Sequence, residues 1–210
     1  MKHNDTYNCY SIPGLYTWYK DHIDFSNKKI LDFGGGFGNL IRSADGIIES
    51  KNYTVIDVDK EAIEKGRIDY PEATWIHADL YNPVYNPKGI DEIIVIEQYD
   101  LIFAYSVFTH TSYEDLKKYI DLFKDNGQIA ITFLSVNNKV AKKYFYQKRI
   151  DEFNTCDDFI FDRDINYLVD NKICLDIPRE CSHLLAWYDE SVLEQYGIIK
   201  NSLPQDLLII

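Results

Sequence analysis

The stretch that most constrains this chain is Ile30-Leu31-Asp32-Phe33-Gly34-Gly35-Gly36-Phe37-Gly38-Asn39. Residues 28–33 read as a buried strand that ends in a glycine cluster, and residues 39–44 read as a short helix. Glycine lets the backbone turn sharply and lets a ligand approach without a Cβ in the way. Strand, glycine turn and helix in that order open an α/β unit, whose ligands gather at the carboxyl ends of the strands.

The rest of the first two thirds repeats this alternation. Strands are expected at 53–57, 74–78, 99–105 and 128–134, with helices at 59–67 and 113–124 and a proline-bearing loop at 81–89. Asp59 can cap the first of these helices; Leu116, Ile120 and Phe123 give the second an apolar face. Asp125-Asn126-Gly127 is a turn. Beyond residue 134 the alternation weakens, and 135–182 reads as a mainly helical insertion. An extended segment at 183–188, a helix at 189–196 ended by Gly197 and an apolar strand at 205–210 follow. The last is too apolar to lie exposed and is expected inside the sheet. The expected fold is α/β, a Rossmann-like, doubly wound, mostly parallel sheet of seven strands with helices on both faces.

Two ligand classes compete for the loop. A dinucleotide loop needs a third glycine or alanine where this chain has Asn39, and Asp32 would sit badly beside a pyrophosphate. The same carboxylate suits a cation. S-adenosyl-L-methionine carries an ammonium and a sulfonium and no phosphate, which favours it over a nicotinamide cofactor.

Residues 30–38 resemble the corresponding segment of the class I S-adenosylmethionine-dependent methyltransferases, a likeness extending over roughly residues 28–134 and more loosely to the last strand. It is closest to small bacterial members with a Ser-Val-Phe-Thr-His segment after the fourth strand, here Ser106-Val107-Phe108-Thr109-His110. The resemblance implies strand order 3-2-1-4-5-7-6 with the last strand antiparallel. It implies that Asp57 holds the ribose hydroxyls, that Asp79 accepts from the adenine amine and that Val58 packs on the adenine face. Asp32, Gly34, Gly35, Gly36, Gly38, Ala78, Tyr105 and Ser106 complete the implied cofactor set, and S-adenosyl-L-homocysteine would be the product.

Methyl transfer is an in-line substitution, and a hydroxyl acceptor must also lose a proton. His110 and, second, His183 are the candidate bases; a loop-shaping role is the competing reading of the first and an exposed histidine that of the second, and Tyr105 and Tyr188 are candidate pocket walls with core packing as the competing reading. No Asn/Asp-Pro-Pro-Tyr/Phe motif follows the fourth strand, which argues against methylation of base or glutamine amines. The expected acceptor is a small hydroxyl-bearing molecule such as a sugar or a nucleotide-linked or phosphate-bearing glycan precursor. A small amine, or a non-catalytic cofactor-binding subunit, remains open, as does the oligomeric state.

Charge and composition narrow the partners. The net charge is −12 over 210 residues, and no basic cluster is large enough to grip nucleic acid or an anionic membrane. Cysteines 9, 156, 174 and 181 lack C-x-x-C spacing, so no metal site is expected. No secretory leader or run of 18 apolar residues is visible, and the cytoplasm is the expected compartment. The chain reads as one domain. Residues 1–27, with Tyr7, Tyr10, Tyr16, Trp18 and Tyr19, are expected to form a helical lid, and 135–182 the acceptor pocket.

Overall fold

In the computed structural model, residues 12–82, 86–90, 97–135, 137–138, 187–202 and 205–210 are described. They form an eight-stranded sheet. The strands are β1 Ile30–Phe33, β2 Tyr53–Asp57, β3 Thr74–His77, β4 Leu101–Ala104, β5 Gln128–Ser135, β6 Trp187–Tyr188, β7 Ile198–Lys200 and β8 Asp206–Ile209. The helices are α1 Leu15–Tyr19, α2 Asn39–Ser43, α3 Lys60–Asp69, α4 Tyr113–Phe123 and α5 Glu190–Leu193. The sheet order is β3-β2-β1-β4-β5-β8-β7, with two-residue β6 pairing the end of β5. Strands β1 to β5 run parallel, and β8 is antiparallel to both β5 and β7.

Successive strand residues face opposite sides of the sheet. Leu31, Phe33, Ile102, Ala104, Ile131 and Leu208 join a core with Leu116, Ile120 and Phe123 of α4 and Leu193 of α5. Ile30, Tyr53, Val55, Leu101, Phe103 and Leu207 join a second core with Leu15 and Tyr19 of α1, Leu40 and Ile41 of α2 and Ile63 of α3. Both faces are therefore covered, which is why the central strands are apolar throughout rather than alternating. Local chemistry sets the helix starts. Asp59 accepts from the N–H groups of Glu61 and Ala62, and Ser112 with Asp115 forms a capping box on α4.

Two details differ from the expectation. The outer position beside the last strand belongs to Ile198–Lys200, whereas the segment expected at 183–188 contributes only Trp187–Tyr188 among the described residues. The helix expected at 189–196 is the single turn Glu190–Leu193, capped by Asp189. The insertion expected at 135–182 falls almost wholly outside the described residues.

Gly66 of α3 packs directly on Trp75 of β3: a Cβ at position 66 would run into the indole ring. That ring is held by its N–H to the Tyr70 carbonyl at 3.0 Å. Gly66→Ala gains about 1 kcal/mol in helix propensity but overpacks the ring at a cost of roughly 1–3 kcal/mol. We expect a net loss of stability in urea unfolding, partly recovered when Trp75→Phe is added.

Candidate functional site

The helices that follow β1 and β4 leave toward opposite faces of the sheet, α2 into one core and α4 into the other. Because β1 and β4 are neighbours, the two connecting loops diverge and leave a crevice at the carboxyl ends of the strands. The glycine loop, the end of β2 and the segment Tyr105 to His110 all lie at this end.

Gly34, Gly36 and Gly38 have φ of +70°, +57° and +88°, left-handed values that suit glycine. The Gly34 N–H donates to the Ile56 carbonyl at 2.7 Å and so extends the β1–β2 ladder into the loop. Gly35 answers to a different demand, since a Cβ there would come within 2.5 Å of the Asp32 carboxyl. The loop backbone thus lies directly on that carboxyl group, and Gly38 starts α2.

Asp32 is only 2% exposed and accepts a hydrogen bond from the Tyr53 hydroxyl. Burial pushes its carboxyl up to about 7, with the Asp57 charge adding to the rise and the Tyr53 hydrogen bond opposing it. The residue therefore works from beneath the loop rather than from the open crevice. Asp57 ends β2 and is partly buried. Its Oδ2 accepts from the Gly36 N–H at 2.7 Å and its Oδ1 from the Asp59 N–H at 2.8 Å. Burial raises Asp57 above its ordinary value despite these donors. One carboxylate thereby ties the middle of the glycine loop to the start of α3 and stays at the crevice edge.

Val58 and Ala78 are partly buried, and Asp79 is exposed at the end of β3. Asp79 Oδ1 accepts from the Asn86 side chain at 2.9 Å, and the Asp79 carbonyl accepts from the Ile90 N–H at 2.7 Å. Tyr105 stands beside Trp18 and Tyr19, ring centroids 6.3 and 6.0 Å away. The described part of the N-terminal segment is thus docked at this end of the sheet: the Ile12 N–H donates to Asn39 Oδ1 and the Tyr16 N–H to Ser43 Oγ.

His110 closes the one-turn helix Phe108–His110 and is partly buried. Its carbonyl accepts from Asn82 Nδ2 at 3.4 Å, and the Phe108 carbonyl accepts from the buried Tyr188 hydroxyl at 3.0 Å. Tyr188 is therefore a core residue that holds the turn. Asn82, which the sequence did not single out, ties the loop after β3 to the same turn. His183 lies outside the described residues. Gln205 and Thr132 were also missed; both bond to Ser106. Among the described residues no group of three or more His, Cys, Asp or Glu could hold a metal ion, and no helix is long and apolar enough to cross a membrane.

Residues 31–129 match the model of a methyltransferase domain family. The fold is similar to the magnesium protoporphyrin IX methyltransferase of Synechocystis PCC 6803, seen with bound S-adenosylhomocysteine. That likeness has TM-score 0.52 and 12% identity, and covers 93% of this chain and 79% of that one. A putative methyltransferase of Bacillus halodurans C-125 aligns with TM-score 0.50 and 13% identity over 89% of this chain and 70% of that one. An S-adenosylmethionine-dependent methyltransferase of Mesorhizobium loti aligns with TM-score 0.46 and 16% identity over 60% of this chain and 55% of that one, so the match spans little more than half of that protein. At these identities the likeness is one of fold.

A carboxyl raised to about 7 keeps its proton where the unfolded chain has already lost it. The folded state then binds more protons than the unfolded state between about pH 4 and pH 7, so this group makes stability fall as pH rises through that window and then level off. Asp32→Asn removes the component. In urea unfolding, the stability difference should shift in favour of the variant between pH 5 and pH 8. Parallel pH profiles would show that Asp32 does not contribute.

Proposed function

We propose, from the match of residues 31–129 to a methyltransferase domain family, that this chain binds S-adenosyl-L-methionine in the crevice between the diverging loops and transfers the methyl group to a small acceptor. The observation that carries this reading is Asp57, held at the crevice edge with its carboxylate bonded to the N–H of Gly36. A carboxylate there accepts from two vicinal hydroxyls, as the ribose of adenosine presents them. The loop backbone beside it leaves room for the amino-acid end of the cofactor. Asp32 beneath the loop favours a cationic ligand and opposes a pyrophosphate. Val58 and Ala78 offer apolar surface to the adenine, Asp79 an acceptor for its amine, and Tyr105 and Ser106 the wall next to the sulfonium.

The acceptor side is the segment after β4. His110 sits in a turn tied by Asn82 and Tyr188, which supports a role as the base that takes the acceptor proton. We read the reaction as O-methylation of a small molecule or glycan precursor, with the docked N-terminal segment as a lid over the cofactor and 135–182 as the acceptor pocket. S-adenosyl-L-methionine would supply an electrophilic methyl group, with S-adenosyl-L-homocysteine as the product, and His110 would take the proton that the acceptor hydroxyl loses.

Four measurements test this. Calorimetric titration should show binding of S-adenosyl-L-homocysteine and none of NAD; the reverse would sink the reading. Asp57→Asn should weaken that binding by about 10- to 100-fold, the worth of hydrogen bonds to a charged group. Incubation with radiolabelled cofactor and pools of sugars, nucleotide sugars and amines should label a hydroxyl compound, and an amine product would replace O- by N-methylation. With that acceptor, His110→Asn should lower kcat by about 100-fold or more while leaving S-adenosyl-L-homocysteine affinity intact; an unchanged kcat would leave His110 only the turn to hold.

A further inference from the structure

Ser106, the second residue after β4, has φ of +59°. The other non-glycine residues with positive φ among those described are Asn27 and Asp45, types that tolerate this region through local hydrogen bonds. Serine is a poorer fit, and a residue held in this conformation needs surroundings that enforce it. Every polar group of Ser106 is in fact used. Its N–H donates to Thr132 Oγ1 at 2.8 Å. The Thr132 hydroxyl donates to Gln205 Oε1 at 2.7 Å. Gln205 Nε2 donates to Ser106 Oγ at 2.9 Å. The Thr109 hydroxyl donates to the Ser106 carbonyl at 2.7 Å. With its proton so committed, Thr109 Oγ1 is the acceptor for the Ser106 hydroxyl at 3.1 Å.

Donors and acceptors therefore run head to tail around Ser106. Thr109, Thr132 and Gln205 are 1%, 0% and 3% exposed. Gln205 is itself fixed, because its carbonyl accepts from the Tyr19 hydroxyl at 3.1 Å. With its hydroxyl engaged on both sides, Ser106 serves the site through the direction it gives the chain. That direction reaches the cofactor loop through the next residue: the Val107 side chain occupies the place where a Cβ on Gly34 would stand.

We propose that Gln205, immediately before the last strand, is a positioning residue for the glycine loop, acting through the Thr132–Ser106 hydrogen-bond ring and the packing of Val107 on Gly34. The proposal rests on the cofactor reading above. The ring enforces the left-handed turn at Ser106, the turn aims Val107 at Gly34, and Val107 sets how far the loop can settle toward β4. A residue from the far end of the chain thus governs affinity at a loop it does not touch.

The test is calorimetric titration with S-adenosyl-L-homocysteine on the full chain, with thermal unfolding in parallel. Gln205→Ala and Thr132→Val should each weaken binding about tenfold, the worth of one net hydrogen bond. Thr132→Ser keeps the hydroxyl and should stay within about twofold of the parent. Ser106→Gly accepts the left-handed turn without enforcement. Adding Gln205→Ala to it should therefore change affinity by less than about threefold, a coupling that a purely structural glutamine would not show. An equal loss on removing Gln205 in both backgrounds would overturn the proposal. So would parental affinity in Thr132→Val, and this pair decides the matter if Gln205→Ala fails to fold. A parent without affinity for S-adenosyl-L-homocysteine would overturn the cofactor reading first, and this proposal with it.

Discussion

The divergence of the chain after β1 and β4 is the constraint on which the rest of the structure depends. These neighbouring parallel strands send α2 into one core and α4 into the other. A right-handed crossover fixes which face each helix takes. The crevice is a consequence of that topology, and both connections that border it are shaped by it. Leaving β1, the chain must turn at once above the Asp32 carboxyl, with positive φ at 34, 36 and 38 and no room for a Cβ at 34, 35 or 38. Glycines at 34, 35, 36 and 38 meet that demand. Leaving β4, it passes Ser106 with positive φ and enters the short turn that carries His110. The two solutions differ in kind. One removes side chains so that the backbone can turn, and the other keeps a side chain and enforces the turn with hydrogen bonds.

Buried polar groups at the strand ends follow from the same geometry. An unpaired buried hydroxyl or amide costs about 1–3 kcal/mol, and at these strand ends the partners are present. Asp32 has Tyr53, Asp57 has the backbone of Gly36 and Asp59, and Ser106 has Thr109, Thr132 and Gln205. These networks join elements distant in sequence into one rigid floor. Val107 against Gly34 connects the Ser106 network to the loop. Such a floor would serve the proposed methyl transfer, because alignment of donor and acceptor supplies much of the rate.

The glycine loop, the place of Asp57 at the end of β2, the Asp59 cap and the five parallel strands were legible because each rests on chemistry within a few residues. Gly66 against Trp75 and the Ser106 ring were not. Ser106 and Gln205 are separated by 99 residues and meet only because β8 inserts beside β5. Neither serine nor glutamine advertises such a role in sequence. The depth of Asp32 was hidden for a similar reason, since its partner Tyr53 lies one strand away, 21 residues on. The strand Ile198–Lys200 escaped notice because it is an edge strand of three residues with Ile198 exposed. It carries neither a buried apolar run nor a polar–apolar alternation long enough to read.

Electrostatics decides which ligand the crevice suits, and the burial of Asp32 before the glycines sharpens that choice. Both carboxyl groups at the loop are raised by burial, and the Asp57 charge adds to the rise at Asp32. Holding both ionised has an electrostatic cost in the empty protein. A cationic ligand relieves that cost, so binding it favours loss of the Asp32 proton. An anionic ligand increases the cost, so binding it favours keeping the proton and pays for repulsion from Asp57 as well. The helix that follows the loop adds little on the other side, because α2 has only five residues and presents a short dipole at its start. The loop that resembles a phosphate cradle in its glycines is, in charge, suited to a ligand with ammonium and sulfonium groups.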